Sequence, residues 1–179
     1  MDQTIIIGHI ALVQQSKRQS FTLEVIRKLR DGGYDAVGIF AGECRDQKYL
    51  DELQQMTRQL DLINHVAFLG RRSDIPDLLK LMDVLLIPSS FEGFPLVGLE
   101  AAATGLPVVA CDVAGAKEFI EVSRAGEMFT EGNVQQAAQV VLSTYCKKLE
   151  FSENGKRFAK EMALSEYQKN IVEEFCSCL

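Results

Sequence analysis

The chain has 179 residues, 47 % apolar and 25 % charged, the balance of one ordinary folded domain and too little for two large ones. A net charge of −6 with interspersed acidic residues excludes nucleic acid as the main partner, because phosphate-backbone binding needs a basic stripe. Met1-Asp2-Gln3-Thr4 is not a basic leader, no apolar run approaches the roughly 18 residues of a membrane span, and five cysteines without framework spacing read as reduced thiols, so a cytoplasmic protein is expected.

Strand-like and helix-like segments alternate along the chain. Thr4 to Val13 is rich in β-branched residues and opens with an apolar run. Phe21, Val25, Ile26 and Leu29 then recur at helical spacing, with Ser20 as the expected cap and Gly32-Gly33 as the stop. Ala36 to Ala41 reads as a buried strand, Gln47 to Leu60 as a polar-faced helix, and Val66 to Leu69 as a short strand. Asp74 or Ser73 is expected to cap a helix with the apolar face Ile75, Leu78, Leu79 and Met82. Val84 to Ile87 is a continuous apolar run, the mark of a strand buried on both faces of a parallel sheet. Pro95 suits the first turn of the next helix, Gly105 and Pro107 its end, and Val108 to Ala110 the next strand. Asn133 with Gln136 resembles a capping box ahead of Val134, Ala137, Ala138, Val141, Leu142 and Tyr145. Ser165 with Gln168 repeats the device before Tyr167, Ile171, Val172 and Phe175. The alternation predicts an α/β fold, a Rossmann-like doubly wound parallel sheet flanked by helices, as a single domain over 1–179. Ligands of such folds bind beyond the carboxyl ends of the strands, so the loops after Ile10, Gly42, Leu69, Pro88 and Ala110 should form the functional edge.

One stretch carries the chemistry. Glu92 and Glu100 stand eight residues apart in Ser89-Ser90-Phe91-Glu92-Gly93-Phe94-Pro95-Leu96-Val97-Gly98-Leu99-Glu100. One carboxylate falls on the loop after a buried strand and the other about two turns into the following helix. Carboxylates accept paired hydrogen bonds from sugar hydroxyls, and a helix start presents free N–H groups and partial positive charge to phosphate. Glycine at 93 lets the backbone approach a ligand. Taken alone, the two glutamates would read as a loop charge and a solvated helix charge.

Their context changes that reading. Val66-Ala67-Phe68-Leu69-Gly70, Asp74-Ile75, Met82 to Ser89, Phe91-Glu92-Gly93-Phe94-Pro95 with Glu100, and Gly105-Leu106-Pro107-Val108-Val109-Ala110 with Gly115 and Glu118 together resemble the GT-B retaining glycosyltransferases of family four. The likeness covers nearly the whole chain and corresponds to the C-terminal, donor-binding domain. It implies that Glu92 bonds the donor sugar and Glu100 the ribose. It also implies that the backbone of Gly93, Phe94, Pro95 and Leu96 faces the sugar and diphosphate. Lys17 falls on the lysine that helps to hold the departing diphosphate, which makes Glu92 and Lys17 the implied catalytic pair. The arginine that normally accompanies that lysine is missing, and Leu12 or Gln14 takes its place. Arg18 is the candidate substitute, although a lysine–arginine pair there also suits the basic entry to a surface helix. Arg71, in Gly70-Arg71-Arg72-Ser73, occupies the base-contacting loop, where an arginine stacks or stays solvated.

The resemblance implies a nucleotide-diphosphate sugar as donor substrate, no cofactor and no metal. Cys176 and Cys178 lack a second pair, and two histidines, His9 and His65, read as local hydrogen-bonding residues. Only one GT-B half is matched, so a separate acceptor-binding domain or subunit is expected. The terminal helices, about 152–179, would pack toward it. An uncovered face should then favour self-association, and a membrane-peripheral position would come through the partner. Polysaccharide or lipopolysaccharide assembly is the family's common setting for this motif. The alternatives are a binding module or remnant that has lost catalysis, and half of a GT-B nucleotide-sugar epimerase.

Overall fold

A computed structural model describes the backbone of residues 4–177 and the side chains of residues 4–163. Its strands are β1 (Ile5–Ile10), β2 (Ala36–Ala41), β3 (Val66–Phe68), β4 (Val84–Ile87), β5 (Val108–Cys111) and β6 (Gly126–Phe129). They form one sheet in the order β3-β2-β1-β4-β5-β6, with every neighbouring pair parallel. The strand order reverses between β1 and β4. The loops leaving those two strands therefore diverge to opposite faces and open a crevice at their carboxyl ends.

The helices are α1 (Gln19–Asp31), α2 (Gln47–Gln59), α3 (Ile75–Lys80), α4 (Leu96–Thr104), α5 (Ala114–Ser123), α6 (Val134–Cys146) and α7 (Lys148–Ser177). On one face of the sheet, Leu23 and Ile26 of α1, Leu53 of α2 and Val141 of α6 bury against Ile7, Val84 and Val109. On the other, Leu79 of α3, Ala101 and Ala102 of α4, and Phe119 of α5 bury against Leu85, Ile87 and Val108. Residues of β4 and β5 are buried at every position, which is why these strands carry no polar alternation. Gly105 closes α4 in the left-handed conformation, at φ 80°. Asn133 Oδ1 accepts from the Gln136 amide at 2.9 Å, as expected of the cap. Gln136 Oε1, however, accepts from the Thr130 amide rather than reaching back to Asn133.

Several local expectations are corrected. Ser20 lies inside α1, and Arg18 holds the cap position with φ 51° and ψ 48° and no side-chain cap bond. Asp74 occupies the cap of α3 but spends its carboxylate on Arg72, whose Nε and Nη2 donate to it at 2.8 and 2.6 Å. Pro95 is the cap of α4, one residue ahead of its first turn. No second helix starts at Ser165: α7 is continuous from Lys148 to Ser177. Its first half packs on α4 and α5, with Phe158 edge-on to Phe119 at 6.1 Å. The stripe Tyr167, Ile171, Val172 and Phe175, and the pair Cys176 and Cys178, lie outside the described side chains. Helix α5 and strand β6 were not foreseen.

Candidate functional site

The crevice between β1 and β4 brings Lys17 and Glu92 together. Lys17 Nζ donates to Glu92 Oε1 at 2.7 Å, and the two side chains are 22 % and 13 % exposed. Both loops are shaped to allow this. After β1 the chain turns through a short 3₁₀ segment, Gln15–Lys17, and Arg18 adopts the left-handed conformation to enter α1. The Ser16 carbonyl accepts from the Ser90 amide at 3.1 Å and the Ser90 hydroxyl at 3.4 Å, stitching the β1 loop to the β4 loop. A cavity of about 240 Å³ opens beside the ion pair, with Ile10, Ser89, Phe94, Pro95 and Leu96 among its walls.

Helix α4 starts at this cavity. No side chain caps it: the Gly98 amide donates to the Pro95 carbonyl at 2.8 Å, and the Leu96 and Val97 amides ahead of it lie at the crevice end with the helix's positive pole. Glu100 is exposed, four residues after Leu96 and so on the same helix face one turn further from the start. A Cβ added at Gly93 would meet nothing within 4 Å, so packing does not demand glycine there. Gly115 is the opposite case. Its amide donates to the Glu92 carbonyl at 3.2 Å, and a Cβ there would lie 1.4 Å from the Gly93 oxygen and 2.6 Å from the Glu92 oxygen. The first turn of α5 therefore grips the backbone that carries Glu92.

Other candidates fall elsewhere along the same edge. Arg18 directs its guanidinium to Glu131 in the loop after β6, not to Lys17. Leu12 is half-buried and its carbonyl accepts from Gln19 Nε2 at 2.9 Å, while Gln14 Nε2 donates to Ser16 Oγ at 3.0 Å. Neither position supplies a cation. Arg71 is exposed in the loop after β3 and does not line the crevice cavity. Its neighbour Arg72 holds the Asp74 carboxyl below the usual carboxylate range through their hydrogen bonds.

A second cavity, of about 190 Å³, adjoins the first through His9 and Ala11 on the α1–α2 side. His9 is buried, with Nδ1 2.8 Å from Thr22 Oγ1 and its ring stacked on Phe40 at 5.5 Å between centroids. Burial, assisted by the charge of Lys17, lowers its pKa from 6.5 to about 3, so the imidazole is neutral. Gln19 is also buried and lines this cavity, and its Oε1 has no hydrogen-bond partner. Its orientation is fixed, since Nε2 already serves Leu12.

The doubly wound parallel sheet and its switch point agree with the comparisons to known proteins. Residues 2–162 match the family described as glycosyl transferases group 1. The chain belongs to that family. A putative glycosyltransferase of Bacillus subtilis, EpsF, is 35 % identical to this group 1 chain over 108 residues, 60 % of the chain and 27 % of EpsF. The lipopolysaccharide core biosynthesis mannosyltransferase LpsB of Rhizobium meliloti is 39 % identical over 69 residues, 38 % of this chain and 20 % of LpsB. Among solved structures, HepE of Anabaena in complex with UDP and glucose superposes with a TM-score of 0.86 at 28 % identity, over 98 % of this chain and 49 % of HepE. The group 1 chain thus spans about half of that structure and a smaller part of the two curated relatives. Its fold is the Rossmann-like half found in GT-B glycosyltransferases, as the sequence resemblance implied.

Sequence reasoning singled out Lys17, Glu92 and Glu100 but gave Gly115 no role and missed Gln19 and the Ser16–Ser90 stitch. The glycine was visible only as part of a motif. Nothing along the chain says that its hydrogen atom faces the Gly93 carbonyl.

Proposed function

We propose that this chain is the donor-binding half of a retaining, metal-independent glycosyltransferase that takes a nucleotide-diphosphate sugar at the β1–β4 crevice. The observation that carries the reading is the meeting of Lys17 with Glu92 at the open start of α4. In this arrangement Glu92 receives sugar hydroxyls and Glu100 receives the ribose. Lys17 and the first amides of α4 hold the diphosphate, with the backbone of Gly93, Phe94, Pro95 and Leu96 against it. That positive field is placed where charge develops as the diphosphate leaves, which is the role a metal would otherwise serve. Arg18 joins only if it leaves Glu131, and Arg71 is the side chain available to the base.

Partial coverage of the relatives supports an acceptor-binding domain or subunit as partner. The exposed Phe91 and Leu96 beside the crevice supply an apolar face for it, or for a second copy of the chain. Among the described residues no helix is long and apolar enough to cross a membrane. Polysaccharide or lipopolysaccharide assembly is the setting that this reading takes, with any membrane-peripheral position supplied by the partner. The absent arginine favours one second reading, a module that binds the donor without transferring it.

Titration of uridine, guanosine and adenosine diphosphates and their sugars against the purified chain tests the proposal. At least one pair should bind. Glu100→Ala should weaken that pair about tenfold or more, the worth of a lost charge-assisted hydrogen-bond pair. No binding at millimolar concentration would end the donor-site reading, and an unchanged Glu100→Ala would remove the ribose assignment.

A further inference from the structure

We propose that the Lys17–Glu92 ion pair is a sugar-sensing latch, which makes the site prefer an intact nucleotide sugar to the bare nucleoside diphosphate and helps to expel the diphosphate product. The inference rests on the proposed function and concerns how the same two side chains are shared between ligand and protein.

The Lys17 ammonium is committed to Glu92 at 2.7 Å, and both groups are largely withdrawn from water. A diphosphate that takes Lys17 must compete with that carboxylate. A bare nucleoside diphosphate offers Glu92 nothing in return. It leaves a carboxylate that is 13 % exposed without its cation and close to a new anion, which is unfavourable on both counts. A nucleotide sugar brings hydroxyl donors to the same carboxylate, so Lys17 is released and Glu92 stays satisfied. When the sugar has been transferred, Glu92 loses those donors and draws Lys17 back, and the diphosphate loses its cation.

The surroundings keep the exchange local. The Ser90–Ser16 bonds tie the two loops together, and the Gly115 amide holds the Glu92 carbonyl. These bonds oppose a parting of the loops, so the swap proceeds by side-chain rotation. Arg18 is engaged with Glu131, so it does not stand in for Lys17 at this point.

The test is a double-mutant cycle read by NMR titration, which follows affinities into the millimolar range. The probes are UDP and UDP-glucose, with GDP and GDP-mannose as the second pair, against the wild type, Glu92→Gln, Lys17→Gln and the double variant. Glu92→Gln should tighten the bare diphosphate by about two- to tenfold, the scale of a partly exposed ion pair released. It should also reduce the preference for the nucleotide sugar. In the Lys17→Gln background the gain should be clearly smaller, because only general repulsion is then relieved. An unchanged or weaker diphosphate affinity in Glu92→Gln, or the same gain in both backgrounds, would overturn the latch. A wild type that binds none of these probes, nor ADP and ADP-glucose, would instead overturn the proposed function on which the latch rests.

Discussion

Gly115→Ala is expected to weaken nucleotide-sugar binding by about 10- to 100-fold, the worth of the charge-assisted hydrogen bonds of a displaced Glu92. The added methyl would fall 1.4 Å from the Gly93 oxygen, so α5 and the Glu92–Gly93 backbone must separate. Neither side yields freely. Helix α5 is pinned by the wholly buried Phe119, and the loop is tied to Ser16 through Ser90. The displacement should also lower stability by about 1–3 kcal/mol, the usual penalty for overpacking. Gly93→Ala is the informative contrast. A methyl there meets no protein atom within 4 Å, so the melting temperature should hold. Binding should still fall, because the proposed site sets the ligand in that space. Calorimetric titration beside thermal unfolding separates the two cases. A Gly115→Ala protein that binds like wild type would mean the α5 grip does not position Glu92.

The second large effect is a loss of stability toward acid that belongs to His9. The folded protein holds this imidazole neutral down to about 3, whereas in the unfolded chain it protonates near the ordinary value of 6.5. Below 6.5 the unfolded state therefore binds a proton that the native state refuses. Stability must fall as pH falls through that window, at up to about 1.4 kcal/mol per unit. Between pH 7 and 5 this amounts to about 2 kcal/mol, ahead of the range where carboxylates of the unfolded chain titrate. His9→Gln should be less stable at pH 7, because Thr22 and Phe40 lose a fitted partner, but should lose much less on acidification. Urea unfolding at several pH values compares the slopes. Equal slopes in the two proteins would show that His9 is not the source.

The fold was readable where burial and punctuation coincide. Strands β4 and β5 appear as unbroken apolar runs because both of their faces are covered. Helix α5 was missed because it opens on Ala114-Gly115-Ala116 with Val113 at its cap, and no capping side chain announces it. Strand β6 is short, lies at the sheet edge and is half-exposed over most of its length, so it has no apolar run to read. Ser20 misled for a related reason. The turn into α1 is made by the left-handed backbone of Arg18, a conformation that residue type does not advertise. At the site, the two glutamates were legible from their motif. The pairing of Glu92 with Lys17 joins residues 75 apart, and only the parallel topology that sets β1 beside β4 brings them into contact.

One crevice is proposed to hold the sugar, the diphosphate and the ribose together. A crystal structure of the chain with its tightest-binding nucleotide sugar tests this most directly. The diphosphate should lie on Lys17 and the first amides of α4, the sugar on Glu92 and the ribose over Glu100, with the Lys17–Glu92 pair broken. A nucleotide sugar bound elsewhere, with that pair intact at 2.7 Å, would contradict it.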